Sequence, residues 1–170
     1  MKAPHHPRSL LVLSLALAAV TGLRAQSGAP DPKAFLRDFY ACYNAQGAAK
    51  LADFYTEDAT FYDPSFELDL HGRAEIGALF VRVLAKDESL THEVVRSTAL
   101  GDDLVVEAVM TGVLHGKTVR VPCVSIFHFT NGRISRQRDM FDTLHFMVQL
   151  GVFPSPFQPP PAAPAAAQRR

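Results

Sequence analysis

Two aspartates pose the chemical question of this chain. Asp63 stands immediately before Pro64, and Asp139 falls in the alternation Gln137, Asp139, Phe141. Alternate residues of a strand share a face, so Asp139 projects on the side of Phe141. A carboxylate among Phe127 and Phe141 loses its hydration, which favours the protonated form and raises its pKa. A proton held near neutral pH is what an acid/base catalyst needs. Each aspartate also has a structural reading. Asp139 can pair with Arg136, Arg138 or a backbone amide, and an Asp before Pro is ordinary turn chemistry.

Other reactive types carry less. Ser125 has no His at a nucleophile–base spacing, so it reads as a polar pocket wall. Cys42 and Cys123 are the only cysteines, too few for a disulfide-built scaffold, and Cys123 reads as a small apolar filler. Tyr40, Tyr43 and Tyr62 can orient a ligand by hydrogen bonding or simply pack. His71, His92, His115, His128 and His145 form no close pair, so no metal site is expected. No phosphate loop or dinucleotide fingerprint occurs, and no cofactor is expected.

The composition suits one folded domain. The chain has 170 residues, 48% of them hydrophobic, with 12 Phe, 4 Tyr and no Trp, which points to an aromatic-rich interior. Basic and acidic residues balance at 17 each, so a nucleic-acid partner is not expected. Lys2 and Arg8 precede an uncharged apolar run from Leu10 to Leu23, and Leu23-Arg24-Ala25 offers a cleavage site. Residues 1–25 therefore read as a signal peptide, which predicts a secreted or periplasmic protein without a membrane anchor after cleavage. An uncleaved anchor is the alternative.

The elements that must position these residues follow from local patterns. Residues 26–30 read as a linker, 31–153 as the domain, and 154–170 as a disordered Pro/Ala-rich tail. Asp31-Pro32 starts a helix that carries Phe35, Leu36, Phe39, Tyr40 and Tyr43 and stops at Gly47. Ala48–Tyr55 reads as a second helix, Ala59–Asp63 as a short strand, and Gly72 precedes a third helix bearing Ile76, Leu79, Phe80 and Val83. Strands follow at 91–100, 104–114, 118–130 and 133–141, with Asn131-Gly132 as a hairpin turn. Val119, Val121, Cys123, Ser125, Phe127 and Phe129 share one face. A short helix, Thr143–Leu150, closes the domain. Helices first and hairpins after define an α+β domain.

Three strings carry a resemblance: FLRDFYACYNAQGAAKLADFYTEDATFYDP at 35–64, HGRAEIGALF at 71–80, and NGRISRQRDMFDTLHFMVQLGVFP at 131–154. They resemble the SnoaL-like group of the nuclear-transport-factor-2-like superfamily. The resemblance implies a cone: three N-terminal helices on a strongly curved antiparallel sheet, a short C-terminal helix, and a pocket at the open end. Pairing through the outer sheet face, here Val124 and Ile126 beside Arg120 and His128, implies a homodimer.

The resemblance also bears on the site. Asp63 matches the general base of ketosteroid isomerases, but Phe39 and Ser125 occupy the positions of their Tyr and Asp donors. Helical geometry turns Tyr40 about 100° from Phe39. Asp139 matches one aspartate of limonene-type epoxide hydrolases, whose remaining groups fall on Phe61, Asp63, Ala108 and Met110. For the acid/base Asp of SnoaL-type cyclases, Asp139 is the first choice and Asp142 the second. Asp63 and Asp139 are thus the candidate catalytic residues. They are expected to titrate as a coupled pair, one near the ordinary Asp value and one raised. Phe39, Tyr43 and Phe61 from the first half, and Met110, Cys123, Ser125, Phe127 and Phe141 from the second, are the candidate ligand contacts. The expected function is binding of a small, largely apolar molecule, with cofactor-independent isomerase-, cyclase- or lyase-type chemistry. The alternative is a non-catalytic binding or dimerisation module with a vestigial pocket.

Overall fold

The computed structural model describes residues 28–84 and 89–155. The expected leader, and the tail apart from Pro154 and Ser155, lie outside the described residues. The expected linker is anchored at its described end: the Gly28 carbonyl accepts from Gly132 N at 2.7 Å, and Ala29 packs on the core.

Helix α1 (Pro32–Asn44) begins where Asp31 caps it, its carboxylate accepting from Ala34 N at 3.0 Å, and Pro32 opens the first turn. It buries Phe35, Phe39 and Tyr40. Helix α2 is only Ala48–Leu51, followed by a 3-10 turn, Ala52–Phe54. The expected helix Ala48–Tyr55 is therefore too long. Tyr55 is extended and fully buried, and it opens strand β1 (Tyr55–Asp63), which starts four residues before the expected strand. Burying a large aromatic outweighs local helical preference.

Strand β2 (Leu68–His71), not anticipated from sequence, pairs back onto β1, and helix α3 (Arg73–Leu84) follows. Ile76, Leu79 and Phe80 of α3 are buried, as its periodicity predicts, and Val83 is half-buried. Then come β3 (Leu90–Leu100), β4 (Asp103–Leu114), β5 (Lys117–Thr130), β6 (Arg133–Phe141) and the short helix α4 (Thr143–Gln149). Asn131 and Gly132 both take positive φ, 51° and 77°, as the tight turn between β5 and β6 requires.

The six strands lie in the order β2-β1-β6-β5-β4-β3. Every neighbouring pair is antiparallel except β1–β6, which is parallel, so the sheet is mixed rather than antiparallel throughout. A parallel pair needs a long crossover, and here everything from β2 to β5 supplies it. Register shifts in β1, in β3 between Val94 and Arg96, and in β6 at Ser135, opposite His128 and Phe129, bend the strands. The helices cover the inner face, where two apolar clusters form, one around Phe127 and the other around Val121 and Phe146.

Gly112 of β4 pairs with Leu90, the first residue of β3, where the two strands come very close. A Cβ there would stand 2.8 Å from the carbonyl carbon of Ser89 and closer still to its oxygen. That carbonyl accepts from Val113 N and starts β3, so it has no room to retreat. Gly112→Ala should lose about 3 kcal/mol of stability, read as a lower urea midpoint at unchanged slope. A midpoint within error of the parent would mean that the Ser89 strand end gives way freely.

Candidate functional site

The parallel register places the two aspartates side by side. Phe61 pairs with Gln137 and Tyr62 with Arg138, so one further residue sets Asp63 against Asp139. Their Cα atoms are then about 5 Å apart on adjacent strands, with both side chains inward. On the other side of Asp139, its antiparallel partner on β5 is Ser125. The site is thus one row across three strands: Asp63, Asp139, Ser125.

Each member of the row is held differently. Asp63 ends β1 because Pro64 has no N–H for a ladder. Its Oδ1 accepts from Ser65 N at 2.8 Å, and Ser65 Oγ bonds the Phe141 backbone at 3.2 and 3.3 Å, locking the turn to the end of β6. Both carboxylate oxygens of Asp139 accept from the Gln137 Nε2 amide, each at 2.9 Å. Gln137 is itself buried, and the buried Tyr55 hydroxyl donates to its Oε1. The chain Tyr55–Gln137–Asp139 thereby fixes which face of the amide meets the carboxylate. Ser125 lies within hydrogen-bonding reach of both Asp139 and Tyr40.

These groups open into a cavity of about 340 Å³ with mainly apolar walls. Of the residues expected from sequence, Phe39, Tyr43 and Phe61 line it, as do Met110, Cys123, Ser125 and Phe141. Phe127 does not. It pairs with Gln137, one inward-facing row deeper than Ser125, where Phe35 and Phe39 of α1 pack edge-on against its ring and leave it no exposure. Tyr40 lines the cavity, although helical angle alone turned it from Phe39. Both face inward because the cavity wraps around α1. Tyr62 points outward, under the Arg138 guanidinium 5.4 Å from its ring centre. Asp142, the second choice for the acid, is spent capping α4, accepting from His145 N at 2.9 Å. Cys42 and Cys123 are free thiols, and burial pushes Cys123 up to about 11.

Sequence reading did not single out Gln137 or His92 for the site. The alternation Gln137, Asp139 carried the first signal, since an amide two residues from a carboxylate on one face can reach it. Nothing in the sequence marks His92. It lies on β3, far from the aspartates along the chain.

Burial, first, pushes Asp139 up to about 6; hydrogen bonds from Gln137 and Ser125 pull it back, and the Asp63 charge adds the smallest push. Asp63 is also raised by burial, against the opposing bonds from Ser65. The expected pair, one ordinary and one raised, is corrected: both rise, and desolvation rather than mutual repulsion leads.

The architecture, helices on one face of a bent six-stranded sheet enclosing a lined cavity, is the nuclear-transport-factor-2-like fold. Residues 36–137 match the family model of the SnoaL-like domain, and the chain belongs to that family. No curated protein matches it in sequence. Among solved structures, a Catenulispora acidiphila protein with a ketosteroid isomerase-like fold, in complex with trimethylamine, is 20% identical, with a TM-score of 0.66 over 76% of this chain and 100% of that one. A candidate polyketide cyclase from Xanthomonas campestris is 21% identical, TM-score 0.63, over 69% and 95%. A limonene-type epoxide hydrolase-like enzyme of M. tuberculosis is 17% identical, TM-score 0.60, over 69% and 86%. At these identities the likeness is one of fold.

The raised carboxyl has a stability signature. Between the unfolded value near 4 and the folded value of about 6, the folded state holds a proton that the unfolded state releases. Stability contributed by Asp139 is therefore lost as pH rises through that window and stays lost above it, an effect of about 3 kcal/mol. Asp139→Asn should be more stable than the parent at pH 8 and lose that advantage at pH 4, by thermal melts at both. An equal difference at the two pH values would mean that Asp139 titrates normally.

Proposed function

We propose that this chain is an exported SnoaL-like protein that binds a small, largely apolar molecule and moves a proton on it without a cofactor. The observation that carries this reading is Asp139: a carboxyl pushed up to about 6, in a mainly apolar cavity, with Asp63 beside it. Such a group still holds its proton about one time in ten at pH 7, close enough to both forms for proton shuttling. Asp139 acts as acid/base, and Asp63 is the second carboxylate that takes or returns the proton. The trimethylamine complex of the C. acidiphila relative supports a cavity of this fold as a small-molecule site.

Exchange of α-deuterium from labelled enolisable ketones, followed by proton NMR, tests the chemistry. The parent should exchange at least a hundredfold faster than Asp139→Asn. Equal rates across a broad ketone panel would hand the cavity to the alternative, a non-catalytic binding module. Phe39 favours that second reading, because it stands where the isomerases carry a donor.

Export rests on the leader-like residues 1–25, and pairing on an outer sheet face where Val124, Ile126 and Met140 are half-buried rather than fully exposed. Native mass spectrometry of protein from its producing cells reads both. Two copies per particle, each beginning at Gln26, are expected; a full-length monomer would reject both statements.

A further inference from the structure

His92 is held more firmly than a wall residue needs to be. The Asn44 side chain at the end of α1 clamps its backbone on both sides, Oδ1 accepting from His92 N at 2.8 Å and Nδ2 donating to His92 O at 3.0 Å. Its ring is wedged between Tyr43 and Tyr40, with centres 4.6 and 5.7 Å away. Nδ1 is buried without a hydrogen-bond partner among the described residues. The ring lines the cavity, which leaves Nε2 as the nitrogen to face it.

An unpartnered buried nitrogen costs least as a bare acceptor, because an N–H without a partner forfeits a stronger bond. The ring proton therefore belongs on Nε2. Along the strands, His92 pairs with Met110 and Met110 with Val121, two inward-facing rows from the row of Ser125 and Asp139. Two rows are four residues, on the order of 13 Å along a strand.

We propose that His92 is a fixed neutral hydrogen-bond donor, its Nε2–H binding an acceptor oxygen of the ligand at the end of the cavity away from Asp139. This rests on the cavity being a ligand site. It narrows the ligand class to oxygenated, ring-sized molecules (ketones, esters or ethers) and disfavours plain hydrocarbons. Burial keeps His92 down at about 4, so the imidazole is uncharged across the neutral range and offers a carbonyl a donor. His92 is a specificity-determining residue, distinct from the proton-moving aspartates.

The test uses 2-acetylnaphthalene and its oxygen-free isostere 2-isopropenylnaphthalene, with binding followed by titration calorimetry. The parent protein should prefer the ketone by about tenfold, the worth of one neutral hydrogen bond. His92→Phe should bring that preference close to one while leaving affinity for the isostere intact. Because a ring swap can disturb packing, a second measurement stands beside it. The ¹⁵N spectrum of the parent should show a neutral Nε2–H tautomer at pH 7, and the carbonyl stretch of bound ketone should move to lower frequency in the parent but not in the variant. Retention of the preference in His92→Phe, or a neutral Nδ1–H tautomer, overturns the proposal while leaving the cavity reading in place. Failure of both naphthalenes to bind overturns the two together.

Discussion

Everything distinctive in this molecule follows from keeping a carboxylate where water is scarce. An ionised Asp in a mainly apolar enclosure is costly unless it takes up a proton or gathers donors. Asp139 does some of each. Gln137 spends its amide N–H groups on it, Tyr55 holds Gln137 in turn, and burial still keeps the carboxyl well above the ordinary Asp value.

The helices and the long hairpins were legible from local pattern, because capping, periodicity and the Asn-Gly turn act within a few residues. The inner face of β5 was equally legible, with Ser125 read as a polar wall of the pocket. What escaped depends on pairing between distant segments. Strand β2 has four residues and forms only because β1 offers it an edge, and the parallel join of β1 to β6 has no local signal at all. Phe127 was misplaced for a related reason: alternation says which face a side chain takes, but not how deep along the strand the helix lid begins. Tyr40 entered the cavity because a wall that wraps around a helix admits neighbours a flat wall would separate. His92 became part of the site through the Asn44 clamp, a contact between residues 48 apart.

The relatives share this frame at about one residue in five, and the frame is tolerant of what is placed inside it. Phe39, Gln137 beneath the acid and the imidazole of His92 across the cavity are what this chain places inside it. Chemistry in such a family is decided row by row along the sheet. One row here carries the two carboxyls and a hydroxyl, and another carries the histidine.

The parallel join between the first and last strands gives the protein a built-in test of completeness. Asp63 comes from the opening strand and Asp139 from the closing one, and each is pinned only when β6 slots in between β1 and β5. A chain that stops short of β6 has the first aspartate on an open edge in water, with no raised acidity and no enclosed cavity. Contacts of such sequence separation form late and slowly in folding. The proton-holding property therefore belongs to the closed sheet, in which the first and last strands lie side by side.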